Sequence, residues 1–155
     1  MRTRARLRTI EVVSNVLIRP VAVTDFASIA KLVSDLGYPT SPSEMQRRLE
    51  AILADHDYHT LVACEDDHVI GFIGTRVGPL YEADGHYGQI MALAVSANHH
   101  RRGIGRMLVG AAELHLADRG ARELVVTSGN HRDGAHAFYE SCGYRFTGRR
   151  FKKTL

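Results

Sequence analysis

Apolar side chains recur along this chain at two spacings, and the change from one to the other marks its elements. Val16 to Pro20 reads as a short strand, closed by a proline that cannot donate to a ladder. Thr24 or Asp25 stands where a helix cap is needed, and Phe26, Ile29, Ala30, Leu32, Val33 and Leu36 follow at helical spacing up to Gly37. After a loop from Tyr38, Ser41-Pro42-Ser43-Glu44 predicts a second helix with an apolar face at Met45, Leu49, Ile52 and Leu53. His59 to Glu65 and Val69 to Arg76 are β-rich runs joined by Asp66-Asp67-His68, a hairpin signal. Gly78 to Gly85 is a polar loop. Gly88 to Ser96 is apolar on both alternating faces, Ile90, Ala92 and Ala94 against Met91, Leu93 and Val95, as a central strand requires.

The helical spacing returns from about Gly103 to Arg119, with Ile104, Met107, Leu108, Ala111 and Leu114 on one stripe and Gly120 just past the end. Glu123 to Ser128 predicts another strand. Asp133 to Cys142 predicts a last helix carrying Ala135, Phe138, Tyr139 and Cys142, stopped by Gly143. Tyr144 to Lys153 has room for two short terminal strands. The order β-α-α-β-β-β-α-β-α-β, without repeat or linker, predicts one mixed α/β domain over residues 15–155.

Composition narrows this picture. The 155 residues suffice for one well-buried core, and 45% hydrophobic with 24% charged residues is ordinary for a soluble domain. No apolar run approaches the roughly 20 residues that span a bilayer, so no membrane association is expected. Cys64 and Cys142 stand far apart without a CxxC partner, which fits core thiols in a reducing cytoplasm. The net charge of +3 hides basic ends: Arg2, Arg4, Arg6 and Arg8 at one, Arg149, Arg150, Lys152 and Lys153 at the other. Residues 1–14 read as a flexible basic tail, since no apolar stretch with a cleavage site follows the arginines. Nucleic acid is not expected as a partner, because no aromatics interleave with these charges.

The most informative segment runs Leu93-Ala-Val-Ser-Ala-Asn-His-His-Arg-Arg-Gly-Ile-Gly-Arg106. A buried strand ends, a turn follows, and Gly103 and Gly105 open a helix. The first turn of a helix presents unpaired N–H groups and the positive end of its dipole, and glycines let an anion approach closely. His100, Arg101, Arg102 and Arg106 add cationic and hydrogen-bonding groups there. The plainer reading is a helix start whose glycines serve packing against the strand. A P-loop is excluded, since no Gly-Lys-Ser/Thr follows, and so is the dinucleotide fingerprint.

This stretch resembles the central motif of the GNAT acetyltransferase superfamily, a Leu-x-Val strand leading to a Gln/Arg-x-x-Gly-x-Gly/Ala loop. The strand is Leu93-Ala94-Val95 and the loop His100-Arg101-Arg102-Gly103-Ile104-Gly105, with His100 in place of the usual first residue. The resemblance implies a mostly antiparallel sheet flanked by helices and acetyl-CoA as co-substrate. The pantetheine arm would lie on the backbone of Leu93, Ala94 and Val95, and the pyrophosphate on residues from His100 to Arg106. Downstream, Asn130, Ala135, Phe138-Tyr139 and Gly143-Tyr144 are similar to the family's Asn-x-x-x-Ala-x-x-Phe-Tyr-x-x-x-Gly-Phe/Tyr segment, with one extra residue after Asn130. By that resemblance Asn130 contacts the pantetheine arm and Tyr139 is the general acid. Aminolysis of a thioester expels a thiolate, and a phenol against that sulfur can protonate it.

The reaction also needs a proton taken from the amine. An alkyl ammonium is neutral only about once in 2,500 molecules at pH 7, a deficit of roughly 4.6 kcal/mol. Glu82 and Asp84, with His86 beside them, are the candidate bases, and their acidity suits a small cationic amine entering beside the 78–88 loop. The loop around Tyr38 is expected to form the facing wall. Nine histidines raise a metal site, but none shows convincing ligand spacing and no metal is expected. Alternatives are a non-catalytic acyl-CoA-binding module and a transferase acting on protein N-termini or lysines, and a homodimer is left open.

Overall fold

The computed structural model describes residues 15–155, so the expected basic tail at 1–14 lies outside the described residues. The elements are β1 (Val16–Pro20), α1 (Phe26–Asp35), α2 (Pro42–Leu53), β2 (Tyr58–Glu65), β3 (His68–Pro79), β4 (His86–Val95), α3 (Ile104–Asp118), β5 (Ala121–Val126) and α4 (Asp133–Ser141). They build a single five-stranded sheet in the order β1-β2-β3-β4-β5. All neighbours are antiparallel except β4 and β5, which run parallel because α3 crosses between them.

Each face of the sheet is covered by a pair of helices. On one, Phe26, Ile29, Leu32, Met45 and Leu49 of α1 and α2 pack on Val62, Cys64, Phe72 and Ala94. On the other, Ile104, Leu108, Val109 and Ala112 of α3, with Phe138 and Tyr139 of α4, pack on Leu61, Ala63, Ile73, Ile90, Leu93 and Val95. The period-2 alternation of β2 decides this split: Leu61 and Ala63 face α3 while Val62 and Cys64 face α1. Each such buried aliphatic side chain contributes about 1.5–3 kcal/mol. Cys64 is therefore a core thiol, and Cys142 is half-buried and free.

Local chemistry sets most element ends. Ser41 Oγ accepts from Glu44 N–H at 3.3 Å and Ser41 N–H donates to Glu44 Oε2 at 2.7 Å, a capping box that satisfies N–H groups at the start of α2. The expected cap of α1 is different. Asp25 does stand at the N-cap, but its side chain makes no cap bond to α1; a 3₁₀ turn at Val23–Asp25 precedes the helix, and Asp25 accepts from Arg19 at 2.7 and 3.0 Å and from Ala22 N–H at 2.7 Å. The Arg19 guanidinium holds this buried carboxyl below its usual range.

Two expectations are corrected. In β4, Gly74 pairs with Ala92 but Thr75 with Ile90, so Met91 is an extra residue in the strand. That bulge flips the alternation, and Ile90 shares a face with Leu93 and Val95 rather than with Ala92 and Ala94. Beyond α4, residues 144–155 form no strand; after the half-buried Tyr144 the segment is solvent-exposed, with Phe146 at 81% and Phe151 at 89%. Apart from Phe146, Phe151 and Leu155, all exposed, its run of glycine, threonine, arginine and lysine offers little apolar area to bury against β5.

Candidate active site

The sheet opens where the bulge lies. β4 pairs with β5 from His86↔Ala121 to Ile90↔Val126 and no further. From Met91 to Val95 the edge of β4 that faces β5 therefore has no strand partner, although its other edge stays paired with β3 from Ala92 to Val95. Backbone groups along such an edge need hydrogen-bonding partners, and an extended ligand bearing amides can supply them. Two residues past β5, Ser128 Oγ is buried without a hydrogen-bond partner.

Beyond Val95 the chain makes a 3₁₀ turn at Ala97–His99 and reverses through Arg101 (φ 60°) and Gly103 (φ 76°) into α3. Gly103 takes a left-handed conformation that suits glycine, and the space around it is open. No side chain caps α3. The first intrahelical bond is donated by Met107 N–H to Gly103 O at 3.0 Å, which leaves the N–H groups of Ile104, Gly105 and Arg106 without helical acceptors. Such a helix start can receive an anion.

The side chains around it divide in a way the sequence did not show. His100 Nε2 lies 2.8 Å from the Val95 carbonyl and closes the turn onto β4. Arg102 makes a two-pronged pair with Glu65 at the end of β2. Arg106 donates to Ser141 O and Ser141 Oγ, both at 3.0 Å, and pins α3 to the last turn of α4. Arg101 alone of the three has no partner among the described residues. Gly105 serves packing: a Cβ there would stand 3.2 Å from the Phe138 ring.

Tyr139 sits on the α3 side of the sheet, edge-on to Phe138 at 5.3 Å and to Tyr144 at 5.8 Å. Burial raises its phenol above the ordinary value, so it stays protonated at neutral pH. Tyr144 is raised further, by burial and by its bond to Glu113 at 3.0 Å. Asn130 lies in the exposed turn between β5 and α4, at the same end of the sheet as the helix start.

Glu82 and Asp84 are placed elsewhere. Their loop joins β3 to the beginning of β4, beside Arg122 and the end of α3. β4 is 10 residues long, so about 30 Å separate this loop from the cradle at Val95. The structure brings neither Glu82 nor Asp84 together with the cradle, which stands at the other end of β4. The surface hollows, one at Ala51–Asp57 and one between Val23, Pro42 and Glu50, also lie away from the open edge. Sequence reasoning missed Met91, Ser128 and Glu65. A bulge leaves no mark in an apolar run, and Glu65 stands 37 residues from Arg102.

A parallel strand pair that parts after Ile90, ahead of an uncapped helix start, leaves a sheet edge along which an extended, anion-bearing ligand can lie. The profile of the acetyltransferase (GNAT) family matches residues 26–144, and the chain belongs to that family. Mycothiol acetyltransferase of Kocuria rhizophila is 32% identical over 80 residues, 52% of this chain and 26% of that relative, so the match spans about a quarter of its length. A GNAT family acetyltransferase from Staphylococcus aureus is 26% identical with a TM-score of 0.79, covering 91% of this chain and 99% of that one. The aminoglycoside N-acetyltransferase AAC(6')-Iy in complex with CoA superposes with a TM-score of 0.81 at 18% identity, over 92% and 95% of the two chains, a likeness of fold. The five-stranded, mostly antiparallel sheet flanked by four helices is the fold of this family. No helix among the described residues is long and apolar enough to cross a membrane.

Proposed function

We propose that this chain is an acetyl-CoA-dependent N-acetyltransferase that transfers the acetyl group to a primary amine by direct attack on the thioester. The observation that carries the reading is the unpaired edge of β4 past Met91, leading straight to an uncapped helix start. The pantetheine arm carries amides that would pair with backbone at Leu93, Ala94 and Val95. Its pyrophosphate would sit on the N–H groups from Gly103 to Arg106, with Arg101 beside it and Asn130 near the arm.

In the reaction the amine nitrogen bonds to the acetyl carbon and the C–S bond breaks. Tyr139 donates its proton to the departing sulfur, while the nitrogen releases one. The amine proton passes to solvent water, which later restores the phenol; β4 itself carries no ionisable side chain from Met91 to Val95. Met91, 48% exposed, and Tyr38, 66% exposed, are the acceptor-side surface on this reading. A small-molecule amine is favoured over a peptide, in keeping with relatives named for aminoglycosides and mycothiol. The test is a panel of amines with acetyl-CoA, read by thiol release. Amine-dependent release supports the reading. Tight acetyl-CoA binding with no release for any small amine, peptide N-terminus or lysine peptide would leave only a binding module.

A further inference from the structure

The loop that opens α3 is held in shape by a carboxylate from the opposite half of the sheet. Glu65 closes β2, and Arg102 donates to both of its oxygens, to Oε2 at 3.0 Å, while His99 Nε2 stands 3.4 Å from Oε2. The Glu65 side chain is 21% exposed and that of Arg102 36%, so the pair is open to solvent and its hold comes from the two-pronged geometry. Between His99 and Gly103 the backbone bends through Arg101 at φ 60°, a left-handed conformation that is unfavourable for a non-glycine residue. Such a bend persists only where its surroundings hold it. Two ties do so here: Glu65 from β2, and His100 on the Val95 carbonyl from β4.

Granting that this loop receives the phosphates of acetyl-CoA, we infer that Glu65 is a positioning residue for the co-substrate. It presets the loop through Arg102 and His99, and Arg102 itself does not bind the anion. The competing arrangement has Arg102 swing to the phosphates when acetyl-CoA arrives. The two differ in sign. If Arg102 leaves Glu65 for the anion, Glu65 competes, and removing its charge tightens binding. If Glu65 presets the loop, removing either partner weakens binding, and the two losses do not add.

The experiment is a double-mutant cycle on the full chain: wild type, Glu65→Gln, Arg102→Ala and the pair, titrated with acetyl-CoA by calorimetry, with kcat measured alongside. The expected result is about five- to tenfold weaker acetyl-CoA binding in each single variant, a double no weaker than the poorer single, and kcat within about twofold. Arg102→Lys is expected not to restore affinity, because an ammonium lacks the fork. Tighter or unchanged binding in Glu65→Gln, or losses that add, would overturn the inference. A second readout needs no co-substrate. Amide exchange at His99, His100 and Met107, whose N–H groups are bonded within the turn and the helix start, should quicken in Glu65→Gln while β3 and α1 keep their protection, and unchanged exchange there would overturn the inference equally. Failure of the underlying reading looks different, since the wild type and every variant would then show no heat with acetyl-CoA, which overturns both.

Discussion

Tyr139 is held by two aromatic edges, and that fixes what its substitution should do. Removing the hydroxyl leaves the packing against Phe138 and Tyr144 intact. Tyr139→Phe is therefore expected to lower kcat by roughly 10²-fold or more, with the KM for acetyl-CoA little changed. Steady-state rates across pH check this, and wild-type turnover throughout would make Tyr139 a core residue only. Glu82 and Asp84 carry the opposite expectation. Their loop lies at the far end of β4, so Glu82→Gln with Asp84→Asn should leave the amine KM within about twofold. A large rise in that KM would mean that acceptors enter where the geometry places none.

At the scale of elements, Gly103 and Gly105 look alike in the sequence and differ in the fold. Gly105→Val places carbon against the Phe138 ring, 3.2 Å from its Cβ, and should cost about 1–3 kcal/mol of stability through the α3–α4 contact. Gly103→Ala meets no neighbour, and its penalty comes from a φ of 76°, roughly 1 kcal/mol. Thermal unfolding with acetyl-CoA titrations separates the two: Gly105→Val lowers Tm more, while Gly103→Ala affects chiefly affinity. This pair also shows what a sequence conveys. The helices were legible because their stripes are long and their ends carry Ser41-Pro42, Gly37 and Gly120. The Met91 bulge was not, because Met-Ala-Leu-Ala-Val alternates equally well in either register, and only pairing with β3 decides it. The helix start was legible from Gly103 and Gly105 ahead of an apolar stripe. The pairing of Arg102 with Glu65 and of Arg106 with Ser141 was not, because it depends on elements remote in sequence.

Across the whole molecule, β2 and α3 are also joined by a stacked pair, His59 on His115, with ring centroids 3.7 Å apart. Burial lowers both imidazoles from their ordinary 6.5, and for His59 the charges of His115 and Arg119 add to it, for His115 that of Arg119. Unfolding lets both rings take protons at their ordinary value. The stability they allow is thus fully present above pH 6.5 and lost as pH falls through that value toward the lower folded ones. Tm should hold steady from neutral to mildly alkaline pH and decline below 6.5, and His115→Gln should flatten that decline. An identical decline in the variant would assign it to other groups.

The central claim is that the open edge of β4 and the start of α3 together receive acetyl-CoA. Hydrogen exchange of the full chain with and without acetyl-CoA tests it most directly. The account predicts slower exchange at backbone amides between 91 and 95 and between 103 and 106, and little change in the 80–85 loop. Slowing confined to other segments, or none at saturating acetyl-CoA, would contradict it.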